Sequence, residues 1–140
     1  MGLTHYWLRF PVLPPTVFAR AVEDCRKILP RLGVPLAGAV GTGPAVFSAE
    51  ALMFNGVGPE RCESMVVRQI ERPHRDRLRV LSFTKTNRLP YDVCVRVALI
   101  ILRHHLGQFF EVTSDDANWE AAGALCQEHL GYGREFRLGK

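Results

Sequence analysis

The chain has 140 residues, 18 Lys and Arg against 14 Asp and Glu, and a formal charge of +4. This length suits one domain that can bury its own core, and an apolar fraction of 47% excludes a disordered chain. The longest apolar run, Val97 to Leu102, falls far short of the roughly 20 residues that cross a bilayer, so no membrane partner is expected.

Leu3 to Leu13 is rich in aromatic and branched residues and predicts a first strand, closed by Pro11 and Pro14-Pro15. The prolines then open a helix from Thr16, with Phe18, Ala21, Val22, Cys25, Ile28, Leu29 and Leu32 on one face; Pro30 must kink or end it, and Gly33 is its stop. Residues 33–48 are rich in glycine and proline and read as a surface loop. Ala51 to Val57 predicts a short strand. Met65 to Ile70 and Leu78 to Thr84 read as an antiparallel hairpin joined by the polar segment Glu71 to Arg77. Pro90 opens a second helix with almost no polar face, ended by Gly107. Phe109 to Thr113 is a strand, and Ser114-Asp115-Asp116 supplies a cap for a third helix that ends at Gly131. Glu135 to Leu138 is expected as a last short strand.

The predicted order is β-α-β-β-β-α-β-α-β. It defines a single α+β domain over residues 1–140, a mixed sheet of five or six strands with three helices packed on it. The alternation of strand and helix from Leu78 onward favours parallel neighbours. Four cysteines, Cys25, Cys62, Cys94 and Cys126, lie more than thirty residues apart with no CxxC pair. They read as reduced thiols, and the opening residues lack the pattern of a secretory leader, so a cytoplasmic location is expected.

The stretch Lys85-Thr86-Asn87-Arg88-Leu89-Pro90-Tyr91-Asp92 leaves a strand and enters the most apolar helix. Ligands gather beyond the carboxyl ends of strands, and helix N-termini favour anions. Lys85 and Arg88 would add full positive charge there, and Tyr91 and Asp92 are further candidate ligand-binding residues. The Asn55-Gly56 loop is the expected neighbour of this anion site. Other features point to weaker alternatives. Cys62 or a histidine would serve a small enzyme only if a base lowered a thiol pKa. Arg68, Arg72, His74, Arg75, Arg77 and Arg79 would give a nucleic-acid accessory protein a basic hairpin, although that segment lacks aromatics for stacking. GAVGTG lacks the strand and helix context of a dinucleotide fingerprint. Cys126, His129 and His104-His105 lack zinc-site spacing, so no cofactor or metal is expected.

The chain resembles a family of small bacterial proteins with no assigned activity. The likeness rests on THYW (Thr4 to Trp7), GVPLAG (Gly33 to Gly38), FNGVG (Phe54 to Gly58), the KTxRxPYD pattern (Lys85 to Asp92) and LGYG followed by Phe136. It spans nearly the whole length and implies no chemistry and no catalytic residue. The sequence therefore predicts a small cytosolic binding domain for an anionic small molecule or a protein partner.

Overall fold

A computed structural model describes residues 2–75 and 77–139. In chain order its elements are β1 (Thr4–Arg9), α1 (Pro15–Ile28), β2 (Val46–Phe47), β3 (Ala51–Phe54), β4 (Met65–Arg68), β5 (Val80–Lys85), α2 (Asp92–Leu106), β6 (Phe110–Ser114) and α3 (Glu120–Leu130). The α+β class, the three helices and six strands are as expected. The strands form two antiparallel three-stranded sheets, β5-β1-β6 and β2-β3-β4, in place of one mixed sheet.

The reason lies in β1. It pairs antiparallel with β5 on one side and β6 on the other. β5 and β6 therefore run parallel to each other, as a strand–helix–strand unit should, but β1 sits between them and removes the parallel ladder. The expected hairpin of Met65 to Ile70 with Leu78 to Thr84 is absent for the same reason: β5 is taken by β1, and β4 pairs with β3. The connection between β4 and β5, whose Asp76 lies outside the described residues, crosses from one sheet to the other. It is tied to the end of β1 by Leu13 N–H to Gln69 O at 3.0 Å and Glu71 N–H to Pro11 O at 2.8 Å.

Three further boundaries shift. The expected loop 33–48 contains β2, which folds onto β3 through a turn closed by Ser48, whose Oγ accepts from Ala51 N–H at 3.1 Å. Glu135 to Leu138 is not a strand. Arg137 donates to the carbonyls of Arg134 (3.0 Å) and Phe136 (2.7 Å), which curls the segment, and only Gly139 N–H reaches β6, at Val112 O. The third helix starts at Glu120, four residues after Asp116, because each polar side chain caps the amide two residues on. Ser114 Oγ accepts from Asp116 N–H, Asp116 Oδ1 from Asn118 N–H, and Asn118 Oδ1 from Glu120 N–H, at 3.0, 3.0 and 3.1 Å.

The core is built on α2, nine of whose residues are buried; it packs against α1, α3 and β6. Along β1 the buried residues are His5, Trp7 and Arg9, while Tyr6 and Leu8 face outward. In register, His5 lies between Thr84 and Ser114, which places a row of three polar side chains across the inner half of the first sheet. No helix among the described residues is long and apolar enough to cross a membrane.

Candidate functional site

β5 hands the chain to α2 through a turn in which Leu89 N–H donates to Thr86 O at 3.1 Å. Its two central residues, Asn87 and Arg88, have φ of 53° and 62°. Left-handed backbone at both positions is the pattern of a type I′ turn, which asparagine tolerates and arginine adopts at a cost of about 1–2 kcal/mol. Arg88→Gly should therefore raise the unfolding free energy by about 0.5–1 kcal/mol, since glycine's greater freedom in the unfolded chain offsets part of the relief. Urea denaturation checks this, and a destabilised variant would contradict it.

Directly after the turn, Asp92 receives three side chains. Its Oδ1 accepts from His5 Nε2 at 2.6 Å and from Thr86 Oγ1 at 2.5 Å, and its Oδ2 accepts from Arg96 Nε at 2.7 Å. Burial would push this carboxyl up, but the hydrogen bonds from His5, Thr86 and Arg96 outweigh it and hold the pKa at about 2. A carboxylate can only accept, so Nε2 of His5 carries a proton, and Nδ1 meets Ser114 Oγ at 2.8 Å. The order Ser114, His5, Asp92 matches the polar set of a hydrolase. His5 is fully buried, however, and Ser114 Oγ also accepts from Asp116 N–H, so all three side chains are tied into the fold.

Arg96 carries the network outward. It donates to Asp92, to Asp116 Oδ2 at 2.9 Å and to Asn118 O at 2.9 Å, and its guanidinium stands 5.2 Å from the centre of the Trp119 ring. Trp119 in turn donates from Nε1 to Asp116 O at 2.9 Å and meets the His5 ring edge-on at 5.0 Å. The strand-to-helix junction thus holds the loop before α3 from both sides.

Beyond Trp119 lies a cleft of about 600 Å³ between the start of α3 and the segment 133–138. Trp119, Phe136 and Leu138 give it an apolar wall, with the first two rings stacked at 5.2 Å. Arg134 and Arg137 supply two positive charges and Glu120 one negative. The chain can approach the helix this closely because glycines face each other: a Cβ on Gly123 would lie 3.0 Å from Gly133 O, and one on Gly133, where φ is +129°, would lie 2.4 Å from Cys126 Cβ. The volume lies within the range of small-molecule sites, and polar groups make up somewhat more of the lining than apolar ones.

The residues singled out in the sequence fall as follows. Tyr91, Asp92, Asn55 and Gly56 come together around the junction, each engaged by other groups of the fold. Tyr91 donates to Glu63 O at 2.6 Å, and burial pushes its hydroxyl pKa well up. Asn55 bonds Cys62 from both ends of its amide, Oδ1 accepting Cys62 N–H at 3.2 Å and Nδ2 donating to Cys62 O at 2.9 Å. Gly56 packs against Glu60 O and the Tyr91 ring, leaving a cavity of only about 30 Å³. Lys85 and Arg88 are both exposed; Lys85 runs past Gly2, while Arg88 acts on Asp116. Three of the cysteines are buried, and burial pushes Cys94 and Cys126 up to about 12 and Cys25 well up, away from the thiolate form. His105 and Tyr132 share Asp24 Oδ2 at 2.7 and 2.6 Å, a clasp joining α1, α2 and the segment after α3.

The sequence analysis missed His5, Arg96, Trp119, Arg134 and Arg137. One signal was available: Asp92 and Arg96 stand four apart on a helix, the spacing of an ion pair. No family model matches the chain, and no curated protein or solved structure matches it.

Proposed function

We propose that this protein is a binding domain for a small organic anion with an aromatic or otherwise apolar body, held in the cleft between α3 and residues 133–138. The observation that carries the reading is the cleft itself, where Arg134 and Arg137 stand beside Trp119, Phe136 and Leu138 in a space of about 600 Å³. Two guanidiniums against one carboxylate leave a net positive mouth, and the start of α3 adds the positive end of a helix dipole. The junction 85–92 serves this site as its foundation: Asp92 and Arg96 hold the loop that presents Asn118 and Trp119. Four unpaired thiols support a reducing, cytoplasmic setting.

The test uses 8-anilinonaphthalene-1-sulfonate as the anionic probe and N-phenyl-1-naphthylamine as its uncharged counterpart. The sulfonate should bind one per chain and bind at least tenfold more weakly to the double variant Arg134→Glu/Arg137→Glu. Both arginines are exposed, so the fold should survive the change. Equal affinity in the double variant, or equal affinity for the uncharged probe, would remove the reading.

A further inference from the structure

We propose that the gap between β4 and β5 is a docking site for an extended acidic segment of another protein, which adds its backbone to the β5 edge. The two strands belong to different sheets, and each is the last strand of its own. Their edges face each other. At one end they are joined: Glu63 N–H donates to Lys85 O at 3.1 Å, and Lys85 N–H to Glu63 Oε1 at 2.8 Å. At the other end, Arg9 reaches from β1 to the carbonyl of Arg68. Between these points no ladder connects β4 to β5 among the described residues. The space holds a groove of about 370 Å³, lined by Trp7, Ser64, Val66, Leu81 and Phe83 among others.

The backbone parity follows from the bonds at the ends. Thr86 N–H donates to Leu3 O, on the β1 side, whereas both backbone groups of Lys85 turn to Glu63. In an antiparallel ladder this alternates, so Leu81 and Phe83 also turn their N–H and C=O away from β1 and into the gap. On the other strand, Gln69 N–H donates to Glu50 O while Arg68 N–H turns to Glu71, so Val66 faces the gap as well. Folded proteins normally pair, cover or charge such an edge. Here the side chains beside it are apolar and exposed: Leu81 at 63%, Phe83 at 58% and Leu78 at 87%. Trp7, on the groove wall, keeps its Nε1–H buried with no acceptor among the described residues.

Charge decides the kind of segment. The stretch after β4 carries Arg72, Arg75, Arg77 and Arg79 against Asp76, and the Glu71 carboxylate is already engaged by Arg9 at 3.1 Å and by Arg68 N–H at 2.9 Å. An acidic strand with alternating apolar residues meets both the cations and the exposed leucines. A second copy of this chain would match the apolar residues but not the cations, since two-fold pairing of β5 would set Lys85 of each copy near Arg79 of the other. Nucleic acid could stack on Tyr6 and Phe83, whose rings stand 6.4 Å apart on this face, and is the alternative that the oligonucleotide comparison tests.

The experiment titrates the full chain with a fluorescein-labelled nonapeptide of alternating Glu and Val. A Lys–Val peptide, a 20-residue oligo-deoxythymidine and the same Glu–Val peptide N-methylated at alternate residues are the comparisons. The Glu–Val peptide should bind, should slow amide hydrogen exchange at Leu81 and Phe83 at least tenfold, and should lose at least tenfold in affinity when N-methylated. Phe83→Pro, which removes an outward N–H that the β1 ladder does not use, should cost a similar factor, as should Arg75→Glu/Arg77→Glu. Failure of the Glu–Val peptide to bind would overturn the proposal. So would binding indifferent to N-methylation, preference for the oligonucleotide, or self-association of the free chain through β5.

Discussion

Replacing Asp92 with alanine should lower the unfolding free energy by about 3–5 kcal/mol, because it strips the counter-charge from groups that stay buried. His5 has no solvent exposure and would lose its Nε2 acceptor, Thr86 its hydroxyl partner, and Arg96 the carboxylate that orients it. The pH dependence has a definite sign. The folded value of about 2 lies below the ordinary 3.8, so the unfolded chain takes up the proton first as pH falls. The stabilisation is fully present above about pH 4 and is lost as pH drops toward 2, amounting to about 2 kcal/mol from this one group. Urea melts of the wild type and of Asp92→Asn across that range measure it. The variant should lose that much less over the interval, and parallel pH profiles would show that the network does not act on Asp92 as described.

A second large loss is expected at Arg9. Its guanidinium is fully buried and donates to the carbonyls of Phe10, Pro11, Arg68 and Gln69 and to the Glu71 carboxylate. These bonds join β1 to the end of β4, so one side chain ties the two sheets together. Burial lowers its pKa, with Glu71 opposing that shift, and the group stays charged at neutral pH. Arg9→Ala should cost about 3–5 kcal/mol, since Glu71 loses its counter-ion and the Arg68 and Phe10 carbonyls lose this donor. Gln69 O and Pro11 O keep backbone donors from Leu13 and Glu71, so the damage is concentrated at two carbonyls. Removing the charge pair together, as Arg9→Met/Glu71→Met, should recover only part of the loss. Full recovery would mean that the carbonyl contacts contribute little.

The helices were legible because their apolar spacing is local. α2 shows its burial in the run Val93 to Leu102, and Gly33 and Gly131 end their helical turns in left-handed conformation. The sheets were not legible, because the pairs that define them are distant: His5 lies opposite Ser114, and a nearby partner such as β4 looks equally good for β5 from composition alone. In β1 the alternation THYWLR supports two opposite faces. Hydropathy favours Tyr6 and Leu8 inside, yet the fold buries His5, Trp7 and Arg9; His5 meets Asp92 and Arg9 meets Gln69, partners distant in the chain. The site followed the same logic. Lys85 and Arg88 stood out by charge, but charge in a sequence does not reveal which groups remain free. Asp92 was singled out as a ligand-binding residue; the residues that surround it and Arg96, His5 and Asp116, come from β1 and from just after β6 and could not be paired with it from sequence. Arg137 lay in a stretch read as a strand, with Arg134 just before it, which hid the curl that turns that segment into a cleft wall.

The most direct measurement is a two-dimensional ¹H–¹⁵N spectrum of the full chain titrated with 8-anilinonaphthalene-1-sulfonate. Shifts should concentrate at residues 117–124 and 133–138, including the indole proton of Trp119, and leave Lys85 and Arg88 nearly still. Shifts centred on Lys85 and Arg88, or scattered without regard to the cleft, would contradict an anion site between α3 and the C-terminal segment.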